Sequence, residues 1–320
     1  MIETFTTAFA STFLSVLDIF LVIFAAGLLV RFEVLRQEHV TALSTATVDL
    51  FLPCLIFSKV LAKFDPGSLP FWWALPLAGI AMSLLALGLA AASFARELPA
   101  KRNMLPLSSM QNAGYLVLPV GLALYPSQFD TFALYCFLFI LGYSPLLWSL
   151  GKLLVTRNAG CGTGWSGLVT APLVANVEGV AAAWSGAGRS IPQPILHGID
   201  LVGQAAVPVA TVVLGAVLGS IRPRLRAYLA DAVRVIGVKL VALPALTILA
   251  VHALGLEATH PLLSRFLVIE ASAAPAAGLI LQVRSWGGDE RKVGSLMLAS
   301  YISCCLTLPL WLAVWELVIR

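Results

Sequence analysis

Charge is scarce in this chain. Only 11% of its 320 residues are Asp, Glu, Lys or Arg, against about a quarter in a typical soluble domain. Hydrophobic residues make up 59%, too many for a soluble fold to cover with a polar surface. Catalytic signatures are missing as well. There is no His-Glu-x-x-His metal motif, no Gly-x-Ser-x-Gly nucleophile elbow and no P-loop. The four histidines (His39, His197, His252 and His260) are scattered, so no assembled catalytic set or metal site is in view. The five cysteines (Cys54, Cys136, Cys161, Cys304 and Cys305) form no CxxC pair, which favours structural thiols over a disulfide framework. Met1–Thr12 holds neither Lys nor Arg, so the positive region of a cleavable signal is lacking, and the first apolar run reads as a retained helix. No cofactor and no nucleic-acid partner are implied.

What is present is a succession of long apolar runs, with a mean hydropathy of +0.93. A helix needs roughly 20 mostly apolar residues to span a bilayer. Ten runs meet that need, at about 13–31, 40–63, 70–95, 103–125, 129–155, 166–186, 194–220, 228–252, 264–284 and 293–318. The expected fold class is an all-α polytopic membrane protein with ten transmembrane helices and the lipid bilayer as its solvent. The loops after odd-numbered spans carry thirteen Lys and Arg residues, among them Arg31, Lys101, Arg222, Arg224 and Arg284. The other side carries five: Lys59, Lys63, Arg189, Arg265 and Arg320. The positive-inside rule then places both termini outside the cytoplasmic (inner) membrane.

Prolines interrupt these runs in a pattern. Pro53 and Pro208 are 155 residues apart, and Pro119 and Pro275 are 156 apart, each inside an apolar run. A proline removes one helical hydrogen bond, which lipid does not replace, so such sites need neighbouring helices or a cavity. The polar stretch RNAGCGTGWS, residues 157–166, is the natural mid-chain boundary. The expected organisation is a first five-helix repeat over 1–156, a connecting loop over 157–165 and a second five-helix repeat over 166–320. Five is odd, so the second half enters from the opposite side, giving a 5+5 inverted repeat.

Four segments carry a family resemblance. Gly27–Leu61 (GLLVRFEVLRQEHVTALSTATVDLFLPCLIFSKVL), Gln111–Pro126 (QNAGYLVLPVGLALYP), Gly203–Leu218 (GQAAVPVATVVLGAVL) and Ala274–Leu310 resemble, in order, the auxin efflux carrier family. One departure is Val117, where the family usually has the second glycine of its Asn-x-Gly-x-x-Gly-x-Pro segment. The resemblance implies a fold like that of the bile-acid sodium symporters. Helices 1, 2, 6 and 7 would form a scaffold domain and helices 3–5 and 8–10 a core transport domain. Helices four and nine would break at their prolines and cross near mid-membrane. It also implies a small organic anion as substrate, a carboxylate above all, and a homodimer.

Candidate site residues follow from that crossing. Gln111, Asn112 and Gly114 lie just before Pro119; Glu270 and Ser272 precede Pro275, and Gln282 follows it. Half-helix N-termini at such breaks supply partial positive charge that suits a carboxylate. Asn112 has an alternative role as interhelical glue. Glu270, an ionisable group at membrane depth, is a candidate for proton exchange or for structural pairing with Arg265. Asp49 and Asp200 are further coupling candidates, placed by His197, Asp200 and Gln204 on one helix face in a strip that the repeat matches to Asp49. A hydrogen-bonded brace is the competing reading. Lys239 is a candidate for holding an anion or for pairing with Glu178. Trp72, Trp73, Trp311 and Trp315 read as interfacial anchors.

The expected function is a secondary transporter moving a small organic anion by alternating access, with proton, sodium or no coupling. Alanines 271, 273, 274, 276 and 277 leave span nine poor in cation ligands, which weighs against a sodium-coupled symporter. An intramembrane enzyme or a non-transporting sensor is the alternative from a different class.

Overall fold

The computed structural model describes residues 2–156 and 169–319. The expected connecting loop, residues 157–165, and Cys161 lie outside them. Every regular element among the described residues is helical. Seven helices are long and apolar enough to cross a bilayer. They are α1 (Ile2–Arg31), α2 (Gln37–Lys63), α3 (Ala74–Ser93), α6 (Pro126–Val155), α8 (Gln193–Gly219), α9 (Leu225–Ala253) and α12 (Glu290–Val318). Between them lie α4 (Met104–Ser109), α5 (Val117–Leu124), α7 (Ala171–Ser185), α10 (Pro261–Ser272) and α11 (Gly278–Trp286). The fourth and ninth apolar runs are thus each split into two short helices. The sixth contains the 15-residue α7.

Internal prolines are absorbed without ending the long helices. A proline ring clashes with the carbonyl four residues back and donates nothing to it. In α2 a π-helical turn at Thr47–Phe51 stands immediately before Pro53, and in α9 one at Gly237–Ala242 stands before Pro244. The wider turn lets the chain pass the ring. Pro208 instead follows a turn at Gln204–Ala205 that interrupts α8.

Two close approaches rest on glycine. The 206–219 part of α8 packs on α1 and carries Gly215 and Gly219. A Cβ on Gly215 would overlap the Ile23 carbonyl, and one on Gly219 the backbone of Gly27. Gly79 of α3 faces the Phe139 carbonyl of α6, 2.6 Å from where its Cβ would stand. Small residues let helix backbones approach where lipid gives no hydrophobic drive. Around these contacts α2 packs on α7 and α8, and α12 packs on α1 and α10.

The tryptophans divide. Trp73 is exposed, as an anchor should be, and Trp72 stacks edge-on with Trp184 and Phe64. Trp315 is fully buried, and the Trp311 indole donates to the Leu240 carbonyl at 2.7 Å. Trp315 is a core residue of the α12 packing rather than an interfacial anchor, and Trp311 is half-buried against that core.

Candidate functional site

The two interruptions meet. Residues 110–116 separate α4 from α5, and residues 273–277 separate α10 from α11. The two stretches run antiparallel, with Gln111 opposite Pro275. The Asn112 N–H donates to the Ala274 carbonyl, and the Ala276 N–H donates to the Met110 carbonyl, each at 2.9 Å. The 111/275 pair is therefore the non-hydrogen-bonded position of a small antiparallel ladder. That is where a proline costs nothing, because no N–H is required of it. Pro275 sits in the break itself. Pro119 does not: it lies in the first turn of α5, so the break precedes it and contains Gln111, Asn112 and Gly114.

Side chains close the crossing. The Asn112 amide donates to the Tyr301 hydroxyl at 2.6 Å, and that hydroxyl donates to the Pro275 carbonyl at 2.9 Å. The Asn112 side-chain oxygen accepts from the Tyr115 N–H at 3.2 Å. The Tyr143 hydroxyl caps the Gln111 carbonyl. Cys136 of α6 and Cys304 of α12 donate their thiols to the carbonyls of Ala113 and Ser272. Backbone groups freed by the breaks are thus served from α6 and α12, as a lipid environment demands. Gly114 is half-buried and a Cβ there would meet open space, so the chain is least enclosed at that residue.

Three buried polar atoms beside the crossing have no hydrogen-bond partner, Gln111 Oε1, Glu270 Oε2 and Ser272 Oγ, and a fourth, Gln282 Oε1, lies farther along α11. Buried polar atoms are normally paired, so each of these oxygens is left able to accept a proton or a hydrogen bond. The other Glu270 oxygen lies 3.8 Å from the Cys136 thiol. Lys239, fully buried on the π-helical turn of α9, donates from Nζ to the Ala271 carbonyl at 3.2 Å. The buried amine of Lys239 and the buried carboxyl of Glu270 therefore approach the same end of α10 without a direct contact.

Other expected pairings do not form. Arg265 pairs with Glu316 at 3.0 Å, not with Glu270. Residues five apart on a helix lie on different faces, so the Arg265–Glu270 pairing was geometrically poor. Glu178 is exposed and apart from the buried Lys239. Asp49 is exposed, not half-buried, and takes no part in the Asp200 network. Asp200 binds Ser58 at 3.1 Å, Lys59 at 3.1 Å and Gln204 at 2.9 Å. Lys59 also pairs with Asp130 at 3.1 Å. His197 lines a cleft of about 540 Å³ beside these residues. The brace reading fits this network. Lys59, Tyr301 and Tyr143 were not singled out from sequence; each is an ordinary residue in an apolar run, and only its partner on a distant helix gives it a role.

A second ionic cluster holds the opposite end. Asp231 binds Lys101 at 2.7 Å and Lys292 at 3.0 Å, while Glu97 binds Lys101 and Arg234. Hydrogen bonds from Lys101 and then Arg234 hold the half-buried Glu97 carboxyl below the usual carboxylate range. No group of three or more potential metal ligands is found among the described residues.

Long apolar helices around two crossed, interrupted ones define a polytopic membrane protein of the solute-transporting class. The sequence profile of the membrane transport protein family, Mem_trans, matches residues 11–163 and again residues 163–312. The chain belongs to this family, the auxin efflux carriers. It is a transporter, not an enzyme. The two matches meet at residue 163, close to the mid-chain boundary expected from the sequence. No curated protein matches the chain in sequence.

Proposed function

We propose that this protein is a secondary transporter that moves a small organic anion, a carboxylate by preference, through a site at the crossing of its two broken helices. The observation that carries the proposal is the antiparallel meeting of 110–112 with 274–276, flanked by the N-termini of α5 and α11. Helix N-termini favour negative charge, and the Nζ of the buried Lys239 lies near the same point, against the Ala271 carbonyl. Gln111, Asn112, Gly114, Ser272, Pro119 and Pro275 would shape the pocket, with Gln111 and Ser272 contributing the atoms left unpartnered.

The full reading is a ten-helix, 5+5 inverted repeat, with the split runs and α7 counted as crossings. A scaffold of α1, α2, α7 and α8 would stay fixed while the remaining helices carry the site across the cytoplasmic membrane, both termini outside. Coupling would be by protons through Glu270, or absent, rather than by sodium, since alanines fill the crossing where cation ligands would be needed. Asp49 and Asp200 lie off that path, Asp49 by its exposure and Asp200 by its pairing with Lys59. The proposal extends to a homodimer, as the family resemblance implies.

Flux in proteoliposomes tests this directly. A panel of mono- and dicarboxylates is offered under separate proton, sodium and voltage gradients. Saturable carboxylate flux that follows the proton gradient or needs none is expected. Sodium-dependent flux that ignores pH overturns the coupling, and no flux with any carboxylate overturns the substrate class.

A further inference from the structure

A groove of about 260 Å³ runs along the outside of the molecule between α1, α8 and α12. Its walls are apolar, with Phe20, Phe24 and Leu28 on one side and Leu298 and Ile302 on the other. The groove exists because the backbones of Gly27, Gly215 and Gly219 meet with no side chain to fill the seam. Two further features single it out. Its floor includes Tyr301, whose hydroxyl ties Asn112 to Pro275 at the crossing. Its rim is Arg31, the last residue of α1.

The dimensions match one leaflet. From Phe20 to Arg31 is eleven residues of continuous helix, or about 16 Å. Half the hydrocarbon thickness of a bilayer is about 15 Å. An acyl chain entering beside Arg31 would therefore reach the depth of Phe20 as its leaflet ends.

The rim is basic and lacks acidic partners. Arg31 is exposed and donates to the Ile221 carbonyl at 2.8 Å, which brings the next residue, Arg222, to the same rim. Arg222, Arg224 and Arg226 are exposed. None of these four arginines forms an ion pair among the described residues, and neither does Glu33, the acid nearest to Arg31 in sequence. Exposed arginines at the membrane surface above an apolar slot recognise an anionic headgroup.

We propose that this groove is a binding site for one anionic phospholipid, its phosphate held at Arg31 and Arg222 and one acyl chain lying along α1 down to Tyr301. The lipid would press on the ring that fastens the crossing. Its occupancy would then bear on transport without its touching the transported solute.

The full chain in phosphatidylcholine nanodiscs, with a trace of phosphatidylglycerol bearing a photoreactive acyl chain, tests the assignment. Labelling is expected on peptides containing residues 20–31 and 298–302, and unlabelled phosphatidylglycerol should compete it away while phosphatidylcholine does not. Replacing arginines should raise the half-saturating fraction of phosphatidylglycerol by about fivefold for each charge removed. Arg222→Gln with Arg224→Gln tests this while leaving the Arg31–Ile221 contact intact, and Ile302→Trp should reduce labelling by filling the slot. Equal competition by phosphatidylcholine or by free palmitate overturns the proposal. So does labelling unchanged in both variants, or cross-linking of the groove to a second copy of the chain.

Discussion

Asn112 is the most constrained polar residue at the crossing, since its amide and its oxygen are both engaged. Asn112→Ala leaves Tyr301 and the Tyr115 N–H each short of a partner, at about 1–3 kcal/mol per group. Saturable uptake is expected to disappear while the protein stays folded; a detergent melting curve beside the flux assay checks both. Unchanged uptake would remove Asn112 from the site. Glu270→Gln cannot exchange a proton, so its uptake should lose any pH dependence; a profile identical to the parent's would clear Glu270 of coupling. Glu97 offers a test away from the membrane. Its lowered folded value means that its contribution to stability is present above about pH 4 and lost as pH falls through the lowered value. Glu97→Gln should flatten the acid limb of a plot of melting temperature against pH. At this scale the sequence exposed Glu270 and Lys239 as charges at depth. Their approach to one end of α10 was hidden, because that depends on how α9 and α10 pack and not on spacing along either helix.

Among the elements, the seam between α1 and α8 is the one a single side chain can wedge open. Gly215→Leu would drive its side chain into the Ile23 backbone, and overpacking of this kind costs about 1–3 kcal/mol. A fall in melting temperature is expected, and an unchanged value would mean that the seam is slack. The long helices were legible because a bilayer imposes a length and forbids unpaired backbone. The two interruptions were legible from their prolines, but their positions were not. Pro119 fits the first turn of a helix, where its missing N–H goes unmissed, so the break moves ahead of it. In α2 and α9 a π-helical turn absorbs the same defect and leaves the helix unbroken. Nothing in the local sequence separates a proline that breaks a helix from one that widens it; the neighbours that can serve the freed carbonyls decide.

For the whole molecule, two of the polar contacts that link the helices proposed as scaffold to those proposed as mobile stand at opposite ends of α8. Lys59 holds both Asp130 and Asp200 at one end. At the other, Arg284 of α11 donates to Ser220 at 2.8 Å and pairs with Glu290 at 2.7 Å. Asp200 and Ser220 are twenty residues apart, about 30 Å along a helix. Alternating access requires such contacts to open in turn. Lys59→Cys with Asp130→Cys, joined by a bifunctional thiol reagent, should stop flux, and cleaving the linker should restore it. Full flux in the joined protein would mean that these two groups of helices do not separate at that end.

The ladder between 110–112 and 274–276 has a consequence for how such a chain tolerates change. Successive side chains on extended backbone point to opposite sides. A one-residue insertion between Met110 and Asn112 would turn the asparagine away from Tyr301 and pull it out of register with the Ala274 carbonyl. Substitutions here edit one contact; a change of length rewrites all of them. The two halves of the molecule can drift in composition, but at this point they must keep count together.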